Sequence, residues 1–98
     1  MAFVYVTEYS QLGGGGAMQV PMDPPIADYR VAFGAAGAAF NTATRFIRVH
    51  ADAICSVIVG PATGLSAAAT NRRFAAGQTE YVAVPQNQGY ALACITNT

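Results

Sequence analysis

The densest run of chemistry-bearing side chains is RVHADAIC, residues 48–55, which holds His50, Asp52 and Cys55. A cysteine beside a histidine can act as a nucleophile with its base, and the three together could hold a metal ion. The spacing works against both. On a strand, positions 50 and 55 point to opposite faces, and only a turn between them would bring the groups together. The chain has one histidine, no Cys-x-x-Cys pair and no evident oxyanion loop. The reading that fits is a strand-end histidine and a turn-forming aspartate beside a buried cysteine.

Other candidates are weaker still. The run GGGG (13–16) invites comparison with phosphate-cradling loops, but those open a helix, and in the Walker form they carry a Lys-Ser/Thr pair. Here Ala-Met-Gln-Val-Pro follows, and the chain has no lysine. Glu8 and Glu80, with Asp28 and Asp52, could in principle pair for acid/base work, yet no spacing unites them. The five tyrosines (Tyr5, Tyr9, Tyr29, Tyr81, Tyr90) could line a sugar-binding surface, but core and interface packing explains them more simply. The expectation is a non-enzyme with no catalytic, cofactor-binding or metal-ligating residues.

Composition points to assembly. Of 98 residues, 53% are apolar and 10% charged, where a soluble domain has roughly 25% charged residues. A free-standing monomer keeps a charged, patch-free surface. This chain must expose small apolar and neutral surface or cover it with neighbours, and we read the second. Five arginines (Arg30, Arg45, Arg48, Arg72, Arg73) balance five acids, so no cation surplus favours capture of nucleic acid. Arg72 and Arg73 are a local exception and read as surface or interface residues. No run approaches the roughly 18 apolar residues of a membrane span, and MAFVYVTEYS lacks the basic start of a signal peptide. Neither a nucleic acid nor a membrane is expected as a partner. Cys55 and Cys94 could bond to each other, but both lie in apolar strand-like runs and read as buried free thiols.

The elements that must position these residues are short strands. FVYVTEY (3–9) alternates with a period of two and is rich in aromatic and β-branched residues. QLGGGGAMQVPMDPP (11–25) cannot form a helix or a central strand. Fully extended, it could span roughly 50 Å. It reads as a linker, giving three parts: an arm strand (1–10), a Gly/Pro-rich linker (11–25) and a β-domain (26–98). Within the domain, strands are predicted at 26–33, 45–51, 53–60, 72–77, 79–85 and 90–97, with soft loops at 34–44 and 61–71. Seven or eight short strands with no convincing amphipathic helix point to an all-β sandwich or barrel.

TRFIRVHADAICSVIVG (44–60), RRFAAGQTEYVAVPQNQGYALACITNT (72–98) and the opening MAFVYVTEYSQL (1–12) resemble a family of small structural proteins of tailed bacteriophages encoded near the capsid genes. The resemblance is a pattern of strand residues and carries no catalytic signature. It implies a capsid decoration or cement protein with a jelly-roll-like β-sandwich, assembled in the host cytoplasm onto the virion surface. Its partners would be the major capsid protein and copies of itself, as a homotrimer or homodimer. An arm strand can add to a neighbour's sheet edge, with tyrosines supplying anchoring area. Phe3, Tyr5, Tyr9, Arg72 and Arg73 are accordingly the expected interaction residues. The alternatives are a tail or neck component, or a glycan- or receptor-binding module.

Overall fold

The computed structural model describes residues 2–13, 20–21 and 24–97. Among them there is no helix, and nine strands follow in chain order: β1 (Phe3–Tyr9), β2 (Leu12–Gly13), β3 (Val20–Pro21), β4 (Ala27–Ala32), β5 (Phe46–Ala51), β6 (Cys55–Pro61), β7 (Arg72–Phe74), β8 (Thr79–Ala83) and β9 (Tyr90–Thr96). All seven expected strands are present: β1 has the expected bounds, β6 runs over 55–61 where 53–60 was expected, and the other five are trimmed at their ends.

The strands form a four-stranded sheet in the order β4-β1-β5-β8, a three-stranded sheet in the order β7-β6-β9, and the small ladder β2-β3, all antiparallel. The two larger sheets share one core in a sandwich-like all-β arrangement. Val4, Val6, Ile47 and Val49 from the larger sheet meet Cys55, Val57, Phe74, Leu92 and Cys94 from the smaller. Alternation places them there: on β1 and β5 every second residue turns inward. Each fully buried aliphatic or Phe side chain contributes roughly 1.5–3 kcal/mol.

The loop expected at 34–44 has a structural task. After β4 the chain turns at Gly34, whose φ of 88° suits glycine. It then runs along the free edge of β9. The N–H groups of Gly34, Gly37 and Phe40 donate to the carbonyls of Cys94, Leu92 and Tyr90 at 2.7–2.8 Å. Residues 33–40 thus carry the chain from one sheet to the other and close that side of the sandwich. The small residues are needed for this. A Cβ on Gly37 would lie 3.1 Å from a methyl of Val31.

The arm and linker depart from expectation. β1 pairs on one edge with β4 and on the other with β5, within its own chain. With Val4 and Val6 fully buried, it is a central core strand with no free edge to offer a neighbour. Residues 10–26 connect two antiparallel partners, β1 and β4, and the β2-β3 ladder continues that hairpin outward, pairing Leu12 with Pro21 and Gly13 with Val20. The described part of the segment, residues 10–13, 20–21 and 24–26, extends the hairpin, where a tether was expected. Residues 14–19 and 22–23 lie outside the described residues.

Candidate functional site

The polar run that looked most like a catalytic cluster is taken apart by the fold. His50 is the penultimate residue of β5, on the outer face of the larger sheet, Asp52 is exposed in the bend that follows, and Cys55 starts β6 in the core. Among the described residues, no three His, Cys, Asp or Glu side chains gather as a metal site would require.

Both cysteines are free and buried, as expected. Cys94 lies opposite Val57 and Cys55 opposite Thr96, so the thiols are diagonal neighbours on adjacent strands. The Cys94 thiol sits 3.5 Å from the carbonyl of Ala32. Burial, and secondarily the nearby Cys55, pushes Cys94 up to about 12, and burial raises Cys55 as well. Thiols held protonated in this way are poor nucleophiles.

The glutamates also go separate ways. Glu8 faces inward and is 3% exposed. Its Oε1 accepts from the backbone N–H of Asn41 at 2.8 Å and the hydroxyl of Thr44 at 2.6 Å, and Tyr29 hydrogen-bonds to the same carboxylate. Burial pushes the Tyr29 phenol well above its usual range, and Glu8 adds to the effect by hydrogen bond and charge. This group fixes the 41–44 loop onto the sheet. Glu80 stands at the open side of the sandwich, 3.6 Å from Arg72, and accepts from the Gln78 amide at 2.5 Å. β5 separates β1, which carries Glu8, from β8, which carries Glu80, so the two cannot share a substrate bond.

What the fold does assemble is the outer face of the four-stranded sheet. Register aligns Arg30, Tyr5, His50 and Thr79 in one row, and Asp28, Thr7, Arg48 and Tyr81 in the next; Tyr9, Phe46 and Ala83 form a third. The Arg30 guanidinium lies 4.1 Å above the Phe3 ring. Tyr9 stacks on Phe46 at 5.3 Å, and Phe46 meets Tyr81 at 6.5 Å. His50 Nδ1 is 2.6 Å from the Thr79 hydroxyl, and the Thr7 hydroxyl donates to Asp28 at 3.0 Å. A shallow concavity of about 420 Å³ is lined by Tyr5, Thr7, Asp28, Arg48, His50 and Asp52. A more apolar one of about 490 Å³, beside β8, includes Leu12, Pro21, Phe46 and Tyr81. Aromatic planes and guanidinium groups with few acids form a surface suited to docking.

Of the five expected interaction residues, Phe3, Tyr5 and Tyr9 lie on this face, but Tyr9 is only 8% exposed and so is not available for contact as Tyr5 is. Arg72 and Arg73 do not. They sit on β7 of the other sheet, where Arg72 is in register with the core residue Val57 and Arg73 with Ser56. Successive residues of a strand point to opposite faces, which divides the pair. Arg30, Phe46, Arg48 and Tyr81, which were not among the expected interaction residues, share the face. Their signal was parity: in RFIRVHA, Phe46 and Arg48 alternate with the buried Ile47 and Val49, which puts them on the same face as His50.

No protein-family model, curated protein or solved structure matches this chain.

Proposed function

We propose that this protein is a non-enzymatic structural component of a tailed-phage particle, decorating and stabilising the capsid by docking the outer face of its larger sheet onto the shell. The observation that carries the reading is that face's make-up. Phe3, Tyr5, Phe46 and Tyr81 alternate with Arg30 and Arg48, and no layer of the described chain covers them. Aromatic and arginine side chains are enriched at protein interfaces, where lysine and glutamate are depleted. A chain with 10% charged residues and no net charge meets a protein shell with little desolvation cost. Repetition on the shell then turns weak single contacts into firm attachment.

The finer fold reading, a jelly-roll-like sandwich, draws support from the order in which the chain visits the sheets. From β4 onward it passes through the larger sheet, the smaller (residues 33–40), the larger (β5), the smaller twice (β6, β7), the larger (β8) and the smaller (β9). Counting residues 33–40 as a strand gives two layers of four, the proportions of a jelly roll. β1 fills the remaining central place in the larger sheet from the N-terminal end of the chain.

The test is to locate and count the protein in purified particles by electron microscopy and quantitative mass spectrometry. Hundreds of copies on the head support decoration. Six to twelve at a neck ring, or a stack along a tail, would move the protein to those assemblies, and absence from particles would end the proposal. A glycan-binding module is the second reading, favoured by the concavity where Tyr5 lies beside Asp28, Arg48 and Asp52. Saturable binding to host glycans, lost in Tyr5→Ala, would establish it.

A further inference from the structure

We propose that two copies of this chain join along β8, in antiparallel register about a two-fold axis at Tyr81, to make one continuous eight-stranded sheet. β8 is the last strand of the larger sheet, and no described strand pairs with its outer edge. The Val84 N–H donates to the Arg45 carbonyl at 2.9 Å and the Ala51 N–H to the Gln78 carbonyl at 3.0 Å. Antiparallel alternation therefore turns the N–H and C=O groups of Glu80 and Val82 toward β5, and those of Thr79, Tyr81 and Ala83 outward. Such a row of unpaired groups is a template for another strand.

The chemistry on either side of this edge selects a second copy. Edge strands that stay alone carry charges, prolines or bulges. β4, the opposite edge, has Asp28 and Arg30 exposed, and its chain bends away at Gly34. β8 instead presents Tyr81, which is 55% exposed, beside the apolar hollow that includes Leu12 and Pro21. Its single charge, Glu80, is matched by Arg72. A two-fold axis at Tyr81 sets the tyrosine opposite its own counterpart, Thr79 opposite Ala83, and Glu80 opposite Val82. No like charges face each other directly. The two Glu80 residues lie diagonal to each other across the seam, each already matched by Arg72 of its own copy. With zero formal net charge, no long-range repulsion opposes the encounter.

The pairing does not depend on the virion reading, but its consequence for docking does. A two-fold axis perpendicular to the sheet keeps both outer faces on the same side, so a dimer offers the aromatic–arginine surface twice.

The experiment uses the full chain in solution. Sedimentation velocity across a dilution series reads the association, and far-ultraviolet circular dichroism reads the fold. Tyr81→Pro removes only an outward N–H, a substitution edge strands accept. It is expected to weaken the dimer at least about tenfold, the effect of losing roughly 1.4 kcal/mol, with the strand signal retained. Tyr81→Cys supplies the second arm. Facing Cα atoms in such a pair lie roughly 5.5 Å apart, within disulfide reach. Mild oxidation should cross-link this variant as a dimer, while the wild type, whose cysteines are buried, should not cross-link. A wild-type monomer at the highest concentration, an assembly indifferent to Tyr81→Pro, or failure of Tyr81→Cys to cross-link would each overturn the proposal. The virion reading would stand or fall separately, on particle composition.

Discussion

Glu8, buried in the interior of the larger sheet, accepts a 2.6 Å hydrogen bond from the hydroxyl of Thr44, itself 1% exposed and far away in sequence. One carboxylate so placed ties β1 to the loop before β5, and through Tyr29 to β4. Glu8→Leu would leave the Thr44 and Tyr29 hydroxyls and the Asn41 N–H without their acceptor. At roughly 1–3 kcal/mol for each unsatisfied buried group, partly relieved by relaxation, a loss of about 3 kcal/mol is expected. Glu8→Gln retains an acceptor oxygen and should cost about 1 kcal/mol. Urea unfolding midpoints of the two variants would check the ranking. Equal and small losses would mean that the 41–44 loop is held by other contacts.

Stability should fall in alkali, and the sign follows from linkage. Cys94 is raised by burial from 9.0 to about 12, and Cys55 and Tyr29 are also raised above their ordinary values. Above about pH 9 the unfolded chain releases thiol protons that the folded chain keeps, so unfolding becomes easier as pH rises. Below the unfolded thiol value the stabilisation is complete and these groups give no slope. Unfolding midpoints measured between pH 8 and pH 11 should decline from about pH 9 upward. Cys94→Ser, which cannot titrate in this range, should flatten the decline. A decline just as steep in that variant would assign the effect to other groups.

The crossing segment can be tested at one atom. A Cβ at Gly37 meets Val31 Cγ2 at 3.1 Å, close to the Leu92 carbonyl on the other sheet. Gly37→Val adds three carbons where one is already tight. It is expected to cost roughly 1–3 kcal/mol, as overpacking does. The nearby Ala38→Ser, on an exposed position, should stay within about 0.5 kcal/mol. Thermal unfolding of the pair would decide whether the sandwich needs this close approach.

These residues also mark how far the sequence could be read. Period-two alternation in FVYVTEY and RFIRVHA located the strands and separated inward from outward side chains, because burial imposes that parity on any half-covered sheet. What alternation cannot report is which edges pair. β1 looked separable because glycines and prolines follow it, yet the segment joins two strands, β1 and β4, that pair with each other. Residues 34–44 read as a loop because glycines and threonines interrupt their alanines, and the role of 34–40 depends on β9, which lies fifty or more positions further on. Glu8 looked like one of several scattered acids because its partners, Thr44 and Tyr29, are distant in sequence. The outer face was half legible. Phe3, Tyr5 and Tyr9 came from one strand, but joining them to Arg30, Arg48 and Tyr81 requires the sheet order.

That order leads to the sharpest test of how the surface is used. Arg48 stands between Thr7 and Tyr81 in register, half-buried at the middle of the outer face, and lines the concavity shared by Tyr5 and Asp28. Arg73 is more exposed but belongs to the smaller sheet. If the outer face docks on the shell, Arg48→Glu reverses a charge near the centre of the contact, where truncation of an anchor alone costs roughly 2 kcal/mol or more. Particle occupancy should then drop by at least about tenfold at limiting protein. Arg73→Glu makes the same change in net charge on the opposite side and should leave occupancy nearly unaltered. Competition between each variant and the wild type for stripped particles supplies the measurement. Losses of equal size would point to a general charge effect, and a larger loss for Arg73→Glu would put the docking surface on the smaller sheet.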